Sequence, residues 1–360
     1  MSGSSNVLRE GPRPALRIAL ALLVGAGGGG LCFALGTPLP WMIGSMLATL
    51  LAALAHLPVQ MPLPLRHLVL PIIGVMLGSA FTPELISSIP RWSYSLGALL
   101  AYLAVSSLVG YAYFRSVARM APATAFFCGV PGGMAEMTMV GASHGGDERI
   151  ISLTHASRII MVVMLIPLLI RLVGASDVSG TAQPGANLLG VSALDVALML
   201  ASAVIGYVLG RRVGLPAAAM VGPMLLSALA HGSGLTEARP PAELVAAAQL
   251  ILGASIGCRF TGTPPAQILR LVVVAAGATL ITLALAVLFG WVLHRWTGLP
   301  LPALLIAYAP GGLTEMSLVA LALGIDAAFV ASHHVLRVLL LVTFAPAAFR
   351  LLSSGKGRRS

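Results

Sequence analysis

Pro131-Gly132-Gly133-Met134-Ala135-Glu136-Met137 returns 179 residues later as Pro310-Gly311-Gly312-Leu313-Thr314-Glu315-Met316. The match runs on without a gap to Arg171 and Arg350, with 13 identities in 41 positions, where chance gives about three or four. The identities include scarce residues: Asp147/Asp326, His155/His334, Arg158/Arg337, Pro167/Pro346 and Arg171/Arg350. Upstream, Gly74-x-x-x-Gly78-x-x-Phe81-Thr82 pairs with Gly253-x-x-x-Gly257-x-x-Phe260-Thr261. Pro38…Gly44-x-Met46 pairs with Pro216…Gly222-x-Met224, one residue closer. The chain is one unit written twice.

Composition says where that unit lives. Of the 360 residues 58% are hydrophobic and only 9% charged, against about 25% charged in soluble domains. Apart from His56, the 48 residues between Arg17 and Arg66 carry no charge. Neither do the 23 between Arg91 and Arg115, nor, His294 aside, the 24 between Arg270 and Arg295. About 20 apolar residues span a bilayer as a helix. This pattern excludes secretion, disorder and soluble DNA-binding enzymes, and predicts an all-α polytopic membrane protein.

Each copy holds six apolar segments: about 16–35, 38–56, 68–81, 93–114, 121–144 and 149–172, then 190–210, 215–231, 244–260, 270–293, 302–323 and 328–351. The expected organisation is a cytoplasmic N-terminal tail (1–15), repeat 1 (16–173), a linker (174–189), repeat 2 (190–351) and a basic C-terminal tail (352–360). The first segment runs too long for a signal peptide and reads as an uncleaved span. Trp41, Trp92, Trp291 and Trp296 fall near segment ends, where interfacial anchors belong. Cys32, Cys128 and Cys258 lie in apolar surroundings without metal spacing and read as small hydrophobes. The net charge of +10 sits singly at segment ends, which fits positive-inside topology and anionic lipid rather than nucleic acid.

Six crossings per copy make parallel repeats and five make inverted ones. The fifth segment decides, because proline removes a backbone donor and two glycines favour unwinding. With Arg158 and Arg337 set aside, six crossings divide 19 basic residues 13 to 6 between the two sides; re-entrant fifth segments divide them 15 to 4. The charge rule favours inverted repeats, with broken or re-entrant helices at the Pro-Gly-Gly motifs. Broken helices that do cross, with a short third segment re-entering instead, give 13 to 6 again.

Irregular backbone at membrane depth is tolerated only where protein or a water-filled cavity covers it. In repeat-built transporters such breaks meet near the midplane, with half-helix N-termini aimed at anionic groups. Candidate substrate- or ion-binding residues are therefore Pro131, Gly132, Gly133, Glu136, Pro310, Gly311, Gly312 and Glu315. To these the sequence adds His155 and Arg158, one face of the next helix, with their copies His334 and Arg337. Glu136 and Glu315 are the only carboxylates deep in apolar segments, so they either cap a half-helix or carry a proton or cation. The arginines either pair with them or offer a planar fork to an anionic substrate. The histidines are either core residues or proton carriers. Gly253-Ala-Ser255-Ile-Gly257 matches the hydrolase nucleophile pattern, but its copy keeps only the glycines. Helix packing explains both copies.

The doubled Pro-Gly-Gly-x-x-Glu-Met block followed by His-x-x-Arg resembles the AbrB duplication family of bacterial inner-membrane proteins over about residues 16–351. That family, named for a regulator of aidB expression, is distinct from the soluble DNA-binding AbrB regulators. The resemblance implies kinship with cation/proton-antiporter and anion-transporter superfamilies. Family members often carry an ammonia monooxygenase label, which this sequence opposes. Its eight histidines form no converging ligand set, so no metal, cofactor or enzymatic activity is expected. With no Walker motif, the function expected is secondary transport of a small anionic solute across the inner membrane, coupled to an ion or proton gradient. The alternative is a membrane sensor that regulates gene expression indirectly. Expected partners are membrane lipids and a small-molecule or ion substrate, no nucleic acid, with a homo-oligomer left open.

Overall fold

A computed structural model of the chain describes residues 14–86, 89–172 and 191–354. The 174–189 linker, most of the N-terminal tail and residues 355–360 of the basic tail lie outside the described residues. Within them there are helices and no strand. Repeat 1 supplies α1 (Pro14–Ala34), α2 (Pro40–Leu54), α3 (Leu63–Gly78), the short α4 (Pro83–Ile86), α5 (Ser93–Ser116), α6 (Pro122–Gly129), α7 (Met134–Ser143) and α8 (Glu148–Leu172). Repeat 2 supplies α9 (Ala193–Val213), α10 (Ala218–Gly232), α11 (Ala242–Gly257), α12 (Pro265–Thr297), α13 (Leu301–Tyr308), α14 (Leu313–Ala322) and α15 (Ala327–Ser354). Seven of them, α1, α5, α8, α9, α11, α12 and α15, are long and apolar enough to cross a membrane, which makes this a multi-pass membrane protein.

Equivalent residues do equivalent work in the two repeats. Leu39 and Ala217, 178 positions apart, both take left-handed backbone (φ 50° and 51°) just before α2 and α10. The retained aspartates cap the helices that follow them. Asp147 Oδ1 accepts from the Ile150 amide and Asp326 Oδ1 from the Phe329 amide, each at 2.9 Å. Such a cap is worth about 1 kcal/mol. Asp326→Ala is accordingly expected to lower stability by about that amount and Asp326→Asn to restore it, measured as thermal unfolding of detergent-purified protein.

The helices sort into two bundles. One is α1–α3 with α9–α11; the other is α5–α8 with α12–α15. The first is closed by glycine. Gly28 on α1 meets Gly44 on α2, and their copies Gly206 and Gly222 join α9 to α10. Gly74 and Gly78 set α3 against the Met220 and Met224 carbonyls of α10. Gly253 and Gly257 set α11 against the Met42 and Met46 carbonyls of α2. Each repeat's third helix thus packs on the other repeat's second. Ser255 donates to the Leu252 carbonyl of its own helix at 2.7 Å, as packing rather than catalysis requires.

In the second bundle the fifth segment turns back on itself. The Asp147 amide donates to Thr124 Oγ1 at 3.0 Å, and the His144 ring lies 5.7 Å from that of Phe127. The ends of α6 and α7 remote from the break therefore lie together, and the segment is a hairpin with Pro131-Gly132-Gly133 at its tip. Helices α13 and α14 flank Pro310-Gly311-Gly312 in the same way.

The molecule has a near face, the end at which α1 begins, and an opposite far face. The near face gathers the α2–α3 loop and the end of α11, through Gln60 N to Arg17 O (3.4 Å) and Thr261 Oγ1 to Val59 O (3.0 Å). At the far face Thr236 Oγ1 donates to Asp195 Oδ1 at 2.6 Å, tying the start of α9 to the α10–α11 loop. The tryptophans divide. Trp291 and Trp296 are exposed, but Trp92 is buried edge-on against Phe329, so it is a core residue and not an interfacial anchor.

Candidate functional site

Each break leaves backbone groups that no helix satisfies, and the repeated motif supplies their partners. Arg158, on α8, donates from Nη1 to the Val130 carbonyl at 3.2 Å and from Nη2 to the Gly132 carbonyl at 2.8 Å. Arg337, on α15, donates from Nη1 to the Ala309 carbonyl at 2.7 Å and from Nη2 to the Gly311 carbonyl. A guanidinium is a rigid fork, so it can satisfy two carbonyls that lie two positions apart in the sequence. It also sets a cation at the negative C-terminal end of the first half-helix. His155 Nε2 lies 2.8 Å from the Phe127 carbonyl, and His334 Nε2 lies 3.1 Å from that of Ile306. All four side chains are buried. These arginines and histidines hold the hairpins, and none lines the cavity described below.

The rest of the motif has local reasons. A Cβ on Gly132 would run into the Met137 side chain, and one on Gly311 into Met316. A Cβ on Gly133 would strike the Glu136 carboxylate, and one on Gly312 that of Glu315. The first glycine makes room for methionine and the second for glutamate. Each glutamate folds back over the N-terminus of its own half-helix, in the first turn of α7 or α14, where the dipole favours negative charge.

Both glutamates face a cavity of about 450 Å³ between the two bundles. The hairpin tips give it Gly133, Glu136, Gly312 and Glu315; the other bundle gives it Arg66 and His67 of α3, Tyr207 and Arg211 of α9, and residues 217–220. Pro131, Gly132, Pro310 and Gly311 form the buried backs of the tips. Arg66, His67 and Arg211 do not stand out in the sequence, because bases at segment ends are what positive-inside topology supplies anyway, and Tyr207 is one aromatic in an apolar helix. The repeat held a signal nonetheless: Arg66 aligns with Val245 and Arg211 with Phe33, so these charges belong to one copy only. Among the described residues no group of histidine, cysteine and carboxylate side chains could hold a metal ion.

A multi-pass helical protein with two helix-break hairpins meeting at one cavity is the class that this fold and site define. Comparison with known proteins gives the family. The family model described as Transition state regulatory protein AbrB matches residues 41–353, and the chain belongs to the AbrB family in its membrane form. It is 26% identical over 361 aligned positions to the uncharacterized protein YhjN of Bacillus subtilis (strain 168), covering 94% of each chain. A protein of Escherichia coli (strain K12) whose name proposes a regulator, AbrB, is 24% identical over 324 positions, 90% of this chain and 92% of its own.

Proposed function

We propose that the protein is a secondary transporter of a small anionic solute across the bacterial inner membrane, coupled to protons, with the cavity between the bundles as its solute site. The observation that carries this reading is the meeting of both broken hairpins, each bearing one glutamate, opposite Arg66 and Arg211. With both glutamates ionised, these four groups cancel. With both protonated, the site holds two positive charges and suits an anion. Protons and anion then move together, driven by charge balance in a low-dielectric cavity.

Alternating access has a structural basis in the duplication. Helix α1 starts at the near face and its equivalent α9 at the far face; α3 starts where α11 ends. The opposite senses of these two pairs support the inverted-repeat reading. The repeat relation carries the α3, α9 and α10 wall of the near-face cavity onto the wall of a second, far-face pocket of about 250 Å³, whose lining includes Phe33, Leu39, Trp41, Val245 and Gln249. Those positions correspond to Arg211, Ala217, Ala219, Arg66 and Leu70. The near cavity and the smaller far pocket are two versions of one access route, exchanged when the bundles move against each other. Arg17, Arg66, Arg149, Arg211 and Arg259 at the near face make that side cytoplasmic by the positive-inside rule.

The test is ligand-dependent thermal stabilisation of purified protein by carboxylates, phosphate, amino acids, ammonium and metal ions. A ligand at 100 times its Kd is expected to add about 2.7 kcal/mol. An anion should do so in the wild type and lose its effect in Arg66→Ala plus Arg211→Ala. In Glu136→Gln plus Glu315→Gln the anion should still bind, while proton-driven uptake into proteoliposomes stops. No stabilisation by any compound, and uptake untouched by either pair, would sink the proposal. The relative named as a regulator favours a second reading, indirect control of gene expression. Regulation that survives the glutamate substitutions after uptake is lost would select it.

A further inference from the structure

A larger near-face cavity, of about 610 Å³, lies beside the solute site. Arg17 of α1, His56 and Gln60 of the α2–α3 loop, Arg66 of α3, Ser255 of α11 and Cys258 and Arg259 just after α11 are among the residues that line it, and among the described residues none of its lining is a carboxylate. Arg66 lines this cavity and the solute site alike, so it stands at the wall between them. Its Nε is buried and has no hydrogen-bond partner among the described residues. Arg66 and Arg259 line the same cavity; their charges oppose each other across it, and Glu148 is the acidic group that acts on Arg259.

The duplication supplies an internal control. At the equivalent far-face positions Arg17 becomes Asp195, Arg66 becomes Val245 and Arg259 becomes Ala80. The second copy builds the same helices without this cluster, so folding does not require it. His56 points the same way. It holds φ +61° where the other copy has Gly234 at φ +74°, and left-handed backbone is the region glycine takes freely and other residues avoid. An imidazole ring stands in a glycine's place in the lining of a basic cavity.

We propose that this cavity is an anion-binding vestibule that takes a carboxylate- or phosphate-bearing group from the cytoplasmic side, with Arg66 joining it to the solute site. The vestibule rests on the transport reading for its purpose, but its charge chemistry does not. Cells hold two sources of such a group, a free solute and an anionic lipid headgroup.

Cys258 is a native reporter on the vestibule wall. In a Cys32→Ala plus Cys128→Ala background, the protein is placed in phosphatidylcholine nanodiscs. Its modification by a negatively charged and a positively charged methanethiosulfonate is timed, each rate taken relative to a free thiol. A basic cavity concentrates counter-ions by tenfold or more, so the anionic reagent is expected to win by about that factor. The preference should collapse towards one in Arg17→Gln plus Arg259→Gln. Inorganic phosphate should slow the reaction in these nanodiscs if the source is a solute. Slowing that appears only with phosphatidylglycerol added assigns the site to headgroups and overturns the link to the solute site. Equal rates for the two reagents, unchanged by the arginine substitutions, overturn the vestibule itself. Should Cys258 react with neither reagent, Ser255→Cys on the same wall reports in its place. Labelling needs no gradient and no uptake, so it can fail while the transport reading stands, or succeed while that reading falls.

Discussion

Arg337→Ala is expected to destabilise the protein by about 3 kcal/mol, more than either glutamate substitution. Its fork satisfies the Ala309 and Gly311 carbonyls at a site where the arginine is only 1% exposed. Alanine leaves both carbonyls buried, and each costs about 1–3 kcal/mol unsatisfied. It also takes the partner of His334 Nδ1. Removing a buried cation relieves its own desolvation, which holds the loss below the sum of those penalties. Lysine should not rescue, because an ammonium is a point donor without a fork. Arg158→Ala should show the same behaviour, more weakly, since its Nη1 contact is 3.2 Å and the residue is 7% exposed. Thermal unfolding in detergent reads both variants. If Arg337→Ala melts like the wild type yet no longer binds an anion, the guanidinium serves solute and not the hairpin.

Gly253→Leu should be as damaging, for a different reason. A Cβ at Gly253 lands on the Met42 carbonyl and Ser45 Oγ, and one at Gly257 on the Met46 carbonyl and Thr49 Oγ1. A flexible side chain could yield, but a helix carbonyl cannot. Helices α2 and α11 must separate, and overpacking of this kind costs about 1–3 kcal/mol or more per site. The double substitution Gly253→Leu plus Gly257→Leu is expected to leave little folded protein after extraction. Gly27→Ala is the control. Nothing lies within 4 Å of its Cβ position, and alanine gains about 1 kcal/mol of helix propensity over glycine. A Gly253→Leu protein with wild-type yield and melting would mean that the close α2–α11 contact is not what holds the first bundle.

The glutamates were legible in the sequence because a carboxylate inside an apolar segment is expensive, and one that recurs in both copies has a reason to be there. The breaks were legible because proline and paired glycines cannot continue a helix. The arginines were legible as residues and not as contacts. Sequence spacing put Arg158 on the helix after Glu136 and left ion pair and substrate fork as the alternatives. The structure sends its fork instead to the Val130 and Gly132 carbonyls. Backbone groups are identical at every residue, so no side-chain pattern announces which carbonyl is left without a partner.

The sequence alone determined a multi-pass helical protein, its duplication, the place of both breaks and the carboxylates beside them. Each follows from local chemistry: apolar length against bilayer thickness, missing backbone donors, and the cost of buried charge. Tertiary structure decided that the fifth segment folds back, that third helices pack on the opposite copy's second, and that Arg66 and Arg211 face Glu136 and Glu315. Those facts depend on which surfaces meet. A base at the end of a helix satisfies the same local rules whether it faces lipid headgroups or a cavity, and only the packing of the two bundles distinguishes one from the other.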